Sequence, residues 1–234
     1  MAAKGKAPLV VLFDVDETLV HTGGAGAKSW MAAFEKLHGI PADIGAHTSA
    51  GETDPQVARA TFQAVLNREP TAEELNQLYA AYLRHLGGEI WASEQYRVLP
   101  GAEDVLVRLG DAGVMLGIVS GAMEGAARTK LVPANLNRFF VFGGYGSDSP
   151  DRTELTRLAI DKASRLHGAE LEPDQVYVVG DTPHDMEATT AVGAVPVGVA
   201  SGHYSTDELT KAGGVHVLAS LQDPFPGVSE TFPR

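Results

Sequence analysis

The feature that most constrains the fold is an unbroken apolar run that ends in two closely spaced acids. Residues 8–13 read Pro-Leu-Val-Val-Leu-Phe, and Asp14 and Asp16 follow. A run this rich in Val and Leu is typical of a strand buried on both faces. Ligands of open α/β sheets bind at the carboxyl ends of strands, so both acids are candidate functional residues. Taken alone, they also fit an ordinary strand-end turn, where Asp is common.

The rest of the chain alternates between apolar runs and helical patterns. Further strands are predicted over residues 114–119, 139–142, 176–179, 195–199 and, as a short sixth, 215–218. One helical pattern ends at Gly113, and three others cover residues 153–167, 187–192 and 207–212. This alternation predicts an α/β fold, a Rossmann-like parallel sheet with helices on both faces.

A block of helical patterns follows the first strand. Apolar spacing and capping residues predict helices over residues 30–39, 54–66 and 71–86. Gly87 and Gly88 are expected to end the third. We therefore expect an α/β core domain formed by residues 1–22 and 96–234, with an all-helical cap domain, residues 23–95, inserted into it.

Composition excludes several classes of function. The 234 residues carry a net charge of -12, and an acidic surface of this kind disfavours nucleic acid as a partner. There is no cysteine, which excludes disulfides, thiol nucleophiles and zinc–thiolate sites. The first apolar run is too short for a signal peptide or a membrane span. We expect a cytoplasmic protein without a membrane partner.

Polar residues follow four of the predicted strands. Ser120-Gly121 follows the second, a glycine-rich stretch the third, and Gly180–Asp185 the fourth. Parallel strands place these ends on one edge of the sheet, where four acids could converge: Asp14, Asp16, Asp181 and Asp185. Clustered carboxylates need a cation, and oxygen ligands without Cys suit Mg²⁺. Each of the last two acids alone would also fit a turn and a helix N-terminus.

At these residues the chain resembles the haloacid dehalogenase superfamily of hydrolases, in particular its phosphoglycolate-phosphatase-like members. The first motif of that family, Asp-x-Asp-x-Thr, matches residues 14–18, and its second, a Ser after an apolar strand, matches Ser120. The fourth motif, Gly-Asp-x-x-x-Asp, matches residues 180–185. The motifs occur in the family's order over nearly the whole chain, and the helical block lies where such proteins carry a cap.

The resemblance implies a Mg²⁺-dependent phosphatase that acts on a small phosphorylated metabolite. It implies that Asp14 is the nucleophile and forms an aspartyl-phosphate, and that Asp16 is the general acid and base. The implied metal ligands are Asp14, Asp16 through its backbone carbonyl, Asp181 and Asp185. The implied phosphate-binding residues are Thr18, Ser120, Gly121 and Arg152.

Two positions depart from the family pattern. Glu17 replaces the usual Gly, which alters the turn or adds negative charge at the mouth of the site. The third motif usually supplies a Lys before a helix, but residues 149–155 contain none. Arg152 is the first candidate for that cation and Lys130 the runner-up, although Arg152 also fits a solvated helix start. The loop 51–54 is a candidate for lining the site.

Two other functions stay open at this point. A phosphomutase resembling β-phosphoglucomutase would use the same residues but retain the phosphoryl group. A catalytically idle binding protein on the same scaffold is the alternative from another class, favoured by the missing Lys and opposed by the complete set of acids. The substrate is not indicated by the sequence, and the protein could be a monomer or a homodimer.

Overall fold

The computed structural model describes residues 7–43, 46 and 49–228. The strands are β1 (Val10–Phe13), β2 (Val20–His21), β3 (Arg97–Val98), β4 (Met115–Ser120), β5 (Gly143–Tyr145), β6 (Val176–Gly180), β7 (Val195–Val199) and β8 (His216–Leu218). The helices are α1 (Ala25–His38), α2 (Asp54–Leu66), α3 (Ala72–Ala92), α4 (Ala102–Asp111), α5 (Glu124–Leu131), α6 (Arg152–His167), α7 (Pro183–Ala191) and α8 (Thr206–Lys211). Six strands form a parallel sheet in the order β5-β4-β1-β6-β7-β8, which confirms the predicted α/β fold.

Strand β1 lies inside the sheet, and all four of its residues are buried. Successive side chains of a strand point to opposite faces. Val11 and Phe13 pack in the apolar cluster that contains residues of α4, whereas Val10 and Leu12 pack in the cluster that contains residues of α6. The double burial explains why the run is continuously apolar instead of alternating.

The prediction of a strand over residues 139–142 is wrong. Residues Leu136–Phe139 form a 3₁₀ turn, and the strand in that place is β5, which follows the apolar run. Val141 is 78% exposed, so the run lacks the continuous burial of a central strand. The glycines of β5 allow α6 to pack closely, because a Cβ on Gly144 would collide with the carbonyl oxygen of Leu155.

The predicted end of the third helix at Gly87 and Gly88 is also wrong, since α3 continues to Ala92. A glycine in a helix interior costs about 1 kcal/mol relative to alanine. Here the apolar stripe continues across the glycines, with Leu86 and Ile90 buried on the same side. Burial of that stripe outweighs the propensity of two glycines.

Helices α1, α2 and α3 form a helical insert between β2 and β3. Trp30 of α1 stacks on Tyr82 of α3, with ring centroids 4.4 Å apart. The chain enters and leaves the insert side by side, because β2 and β3 pair as an antiparallel ribbon separate from the main sheet. None of the helices in the described part of the chain is both long and apolar enough to cross a membrane.

Candidate active site

Three carboxylates meet at the carboxyl edge of the sheet. Asp14 follows β1, Asp181 follows the neighbouring strand β6, and Asp185 lies in the first turn of α7. One oxygen from each lies within 4.8 Å of the others, and all three residues are buried. The structure therefore brings together three of the four acids that the sequence predicts to converge.

Helix α7 begins four residues before the predicted start, and this extension places Asp185. Thr182 caps the helix, and its side chain and Asp185 accept each other's backbone N–H groups. Asp185 Oδ2 accepts the Thr182 hydroxyl at 2.7 Å. The capping box thus fixes Oδ2 of Asp185 and leaves Oδ1 to bond Arg152.

The carboxylate of Asp16 lies apart from the three buried acids. Its Oδ2 is 2.5 Å from Nζ of Lys130, a residue of α5. The side chain of Asp16 is 40% exposed, unlike the buried Asp14 two residues earlier. This position is compatible with the expectation that Asp16 binds metal through its backbone carbonyl and keeps its carboxylate for proton transfer.

The three acids fit a divalent cation. Asp14 Oδ1 is buried and accepts no hydrogen bond. Burial raises the pKa of Asp14 to about 7. The charge of Arg152 opposes this rise, and the charges of Asp185 and Asp16 add to it. Burial, with repulsion from Asp185 and Asp14, raises the pKa of Asp181 to about 9. Crowded carboxylates with an orphan oxygen are the donor set that a hard cation such as Mg²⁺ neutralises.

Arg152, the first residue of α6, faces this group. Its Nη1 bonds Asp185 Oδ1, and its Nη2 is 3.9 Å from Asp14 Oδ2. Its Nε donates to the Gly51 carbonyl oxygen at 3.1 Å. The side chain is only 10% exposed, so Arg152 is not a solvated residue at a helix start. Both candidate cations, Arg152 and Lys130, reach the site, and they bond different acids.

The predicted phosphate-binding residues occupy distinct places. Ser120 ends β4, is buried, and its Oγ accepts the Ala122 N–H at 3.3 Å. Gly121 follows Ser120 and lies in the wall of a small cavity beside the acids. The Thr18 hydroxyl instead donates to Asp181 Oδ1 at 3.3 Å, which places Thr18 behind an acid of the site.

The loop before α2 closes over the site. The Asp54 N–H donates to the Gly121 carbonyl at 2.8 Å, and Thr53 Oγ1 donates to the Pro150 carbonyl at 3.0 Å. The cavity beneath has a volume of about 170 Å³, and Gly51, Glu52 and Asp54 contribute to its wall. A larger groove of about 820 Å³ lies beside it and also contacts the loop.

Sequence reasoning did not foresee the contacts of Asp54 and Lys130. Asp54 Oδ2 accepts the Met123 N–H at 2.8 Å. Burial raises the pKa of Asp54 to about 6, an effect that Lys130 opposes. The capping residues at Thr53 signal a helix start, but no local pattern shows that the first helical acid turns inward to the core.

Glu17 occupies a backbone conformation suited to the glycine it replaces. Its φ is 55°, in the left-handed region that costs a side-chain-bearing residue about 1–2 kcal/mol. Its Oε1 lies 2.6 Å from His21 Nδ1, and the residue lines the cavity. The turn is therefore retained, and a carboxylate is added at the mouth of the site.

Comparisons with known proteins agree with this geometry. A family model described as haloacid dehalogenase-like hydrolase matches residues 9–193. The chain is 33% identical to the phosphoglycolate phosphatase of Rhodospirillum rubrum, over 94% of this chain and 93% of that protein.

Solved structures show the same fold. CbbY from Rhodobacter sphaeroides in complex with phosphate superposes with a TM-score of 0.70 at 16% identity, covering 92% of this chain and 95% of that one. A predicted phosphoglycolate phosphatase from Haemophilus somnus gives a TM-score of 0.70 at 18% identity, with coverages of 92% and 95%.

Proposed function

The chain belongs to the haloacid dehalogenase-like hydrolases, and from this premise we propose that it is a Mg²⁺-dependent phosphatase that hydrolyses a small phosphomonoester through an aspartyl-phosphate. The observation that carries the proposal is the buried group of Asp14, Asp181 and Asp185 with Arg152 against it. Phosphoryl transfer depends mainly on positioning and charge neutralisation, and this group can provide both.

The proposed reaction has two steps. The Asp14 carboxylate attacks phosphorus, the ester P–O bond breaks, and Asp16 gives a proton to the leaving oxygen. Water that loses a proton to Asp16 then attacks the aspartyl-phosphate, which releases inorganic phosphate and restores Asp14. Arg152 and Ser120 bind the phosphoryl oxygens during both steps, and Arg152 also opposes the protonation that burial imposes on Asp14.

The residues that would hold the metal are Asp14, Asp181 and Asp185, with the backbone carbonyl of Asp16. When bound, Mg²⁺ supplies positive charge against the phosphoryl oxygens. The unpartnered Asp14 Oδ1 supports this assignment, since a buried oxygen without a donor is otherwise unfavourable.

The site offers two adjoining spaces. The cavity over the acids, about 170 Å³, suits the phosphoryl group, and the groove of about 820 Å³ beside it offers space for the leaving group. The Rhodospirillum rubrum relative makes phosphoglycolate the first compound to test. We retain the division into a core of residues 1–22 and 96–234 and a cap of residues 23–95; the β2–β3 ribbon at their junction supports it.

A phosphate-release panel tests the proposal. Small phosphomonoesters, phosphoglycolate among them, are incubated with Mg²⁺, with EDTA, and with Ca²⁺, which prefers more ligands at longer distances. We expect release with Mg²⁺, none with EDTA and little with Ca²⁺. Asp14→Asn should abolish turnover and the hydroxylamine-sensitive phosphoenzyme, whereas Asp161→Asn, on the exposed face of α6, should not.

Two results would contradict the proposal. One is undiminished hydrolysis in metal-free buffer, and the other is near-normal turnover by Asp14→Asn. Transfer of the phosphoryl group to a second hydroxyl of the substrate, without release of phosphate, would instead support the phosphomutase alternative. A complete lack of activity and of phosphoenzyme across the panel would favour the idle binding protein.

A further inference from the structure

We infer that Lys130 is a positioning residue for Asp16 and that Asp54, from the helical insert, fixes the segment that leads into the helix carrying Lys130. The inference rests on the proposed function, in which Asp16 transfers the proton. It differs from the sequence expectation, which made Lys130 a rival of Arg152 for contact with the phosphoryl group.

The contact itself is direct and buried on the lysine side. Lys130 extends from α5 and places Nζ 2.5 Å from Asp16 Oδ2, with 7% of its side chain exposed. Among the residues that the structure describes, Lys130 is the one whose side chain bonds the Asp16 carboxylate. A carboxylate that is 40% exposed would otherwise be free to rotate.

The ion pair with Asp16 accounts for a buried lysine. Burial disfavours the charged form of Lys130, but the charges of its neighbours, Asp16 foremost, raise the pKa of Lys130 above its usual value. Burying an ammonium costs several kcal/mol unless it is paired. The pairing with Asp16 therefore explains why a charged side chain is stable at this position.

Asp54 links this pair to the helical insert. Asp54 begins α2, and both its N–H and its carboxylate bond the segment 121–123, which leads into α5. The start of α2, the lysine of α5 and the carboxylate of Asp16 therefore form one connected cluster. A displacement of the insert would break these two bonds, shift the start of α5 and loosen the contact of Lys130 with Asp16.

Orientation matters because proton transfer needs close contact. A general acid must lie about 2.6–3.2 Å from the atom that it protonates. With Oδ2 held by Lys130, the other oxygen of Asp16 is the one available to the leaving group. Arg152 cannot perform this task, since its guanidinium bonds Asp185 and lies near Asp14.

The test compares two phosphorylated compounds of nearly equal size that differ in their need for a proton. Acetyl phosphate, a mixed anhydride, loses acetate without protonation, whereas the ester ethyl phosphate needs an acid. The readout is the ratio of kcat/KM for the two compounds, because kcat/KM reports phosphoryl transfer to Asp14 and excludes later hydrolysis of the phosphoenzyme.

We expect Lys130→Met to lower kcat/KM for ethyl phosphate about 100-fold, the lower end of the usual contribution of general acid catalysis. The value for acetyl phosphate should change less than about 3-fold by the same argument. Asp16→Asn should shift the ratio in the same direction, and the double variant should be no worse than Asp16→Asn alone. Asp54→Asn should give a smaller shift.

The matched control is Lys162→Met. Lys162 also forms an ion pair, 3.0 Å from Asp148, but it does not line the site cavity, and its loss should leave the ratio unchanged. Should Lys130→Met fail to fold, Lys130→Gln keeps a donor without the charge and should still shift the ratio.

The outcomes separate the two proposals. If Asp16→Asn shifts the ratio while folded Lys130 variants do not, the inference is overturned and the proposed function stands. If the wild type hydrolyses neither compound, or Asp16→Asn leaves the ratio unchanged, the proposed mechanism itself fails. A double variant much worse than Asp16→Asn would show that Lys130 acts independently of Asp16, which also overturns the inference.

Discussion

Replacing Asp181 with Asn should stabilise the metal-free protein while removing its response to Mg²⁺. Burial and the neighbouring acids raise the pKa of Asp181 to about 9. In an unfolded chain an Asp titrates near about 4. Between these values the folded protein binds more protons than the unfolded chain, so the free energy of unfolding falls as the pH rises through that window.

The magnitude follows from the size of the shift. One pKa unit corresponds to about 1.4 kcal/mol, so at about pH 8 this one group could lower the free energy of unfolding by up to about 6 kcal/mol relative to acidic solution. An Asn carries no charge to neutralise, but its buried amide must itself be desolvated. We therefore expect Asp181→Asn to gain about 1–3 kcal/mol in EDTA at this pH, and little at about pH 4.

Urea unfolding at both pH values, with EDTA or with Mg²⁺, measures these differences. A ligand at 100 times its Kd stabilises the folded state by about 2.7 kcal/mol, so saturating Mg²⁺ should raise the stability of the wild type and leave Asp181→Asn unchanged. The exposed Asp161→Asn serves as the control for loss of an acid. A variant less stable than the wild type in EDTA at pH 8 would refute the argument from crowded charge.

Two further substitutions test the surroundings of the acids. Arg152→Ala should lower kcat about 10²–10³-fold, in line with loss of one preorganised donor, and Arg152→Lys should recover part of the lost kcat. Steady-state kinetics on variants whose folding is verified measures both effects. An unchanged kcat in Arg152→Ala would contradict the role of Arg152. Gly51→Ala should raise KM, because the φ of Gly51 is 90° and a Cβ at this position would lie 2.9 Å from His184 Cδ2. An unchanged KM would show that the loop closes without the left-handed conformation of Gly51.

Much of the fold follows from local sequence patterns, because buried parallel strands require continuous apolar runs. Strands β4, β6 and β7 lie within one residue of their predicted bounds, and β1 begins two residues into its apolar run. Strand β5 could not be found in this way. Its glycines resemble a turn, and their actual reason, the close approach of α6, exists only in three dimensions. The aromatic residues before β5 supplied a false apolar signal.

The acids and the cations of the site differ in how far the sequence could place them. Asp14 and Asp181 follow adjacent strands, so topology alone brings them together once the sheet is known. Arg152 and Lys130 lie on the consecutive helices α6 and α5, and spacing made them rivals for a single role. The structure places Arg152 against the buried acid group and Lys130 against Asp16. Two cations are understandable here, because the proposed nucleophile Asp14 and the proposed proton donor Asp16 are separate carboxylates, and each needs its own partner to keep a fixed position.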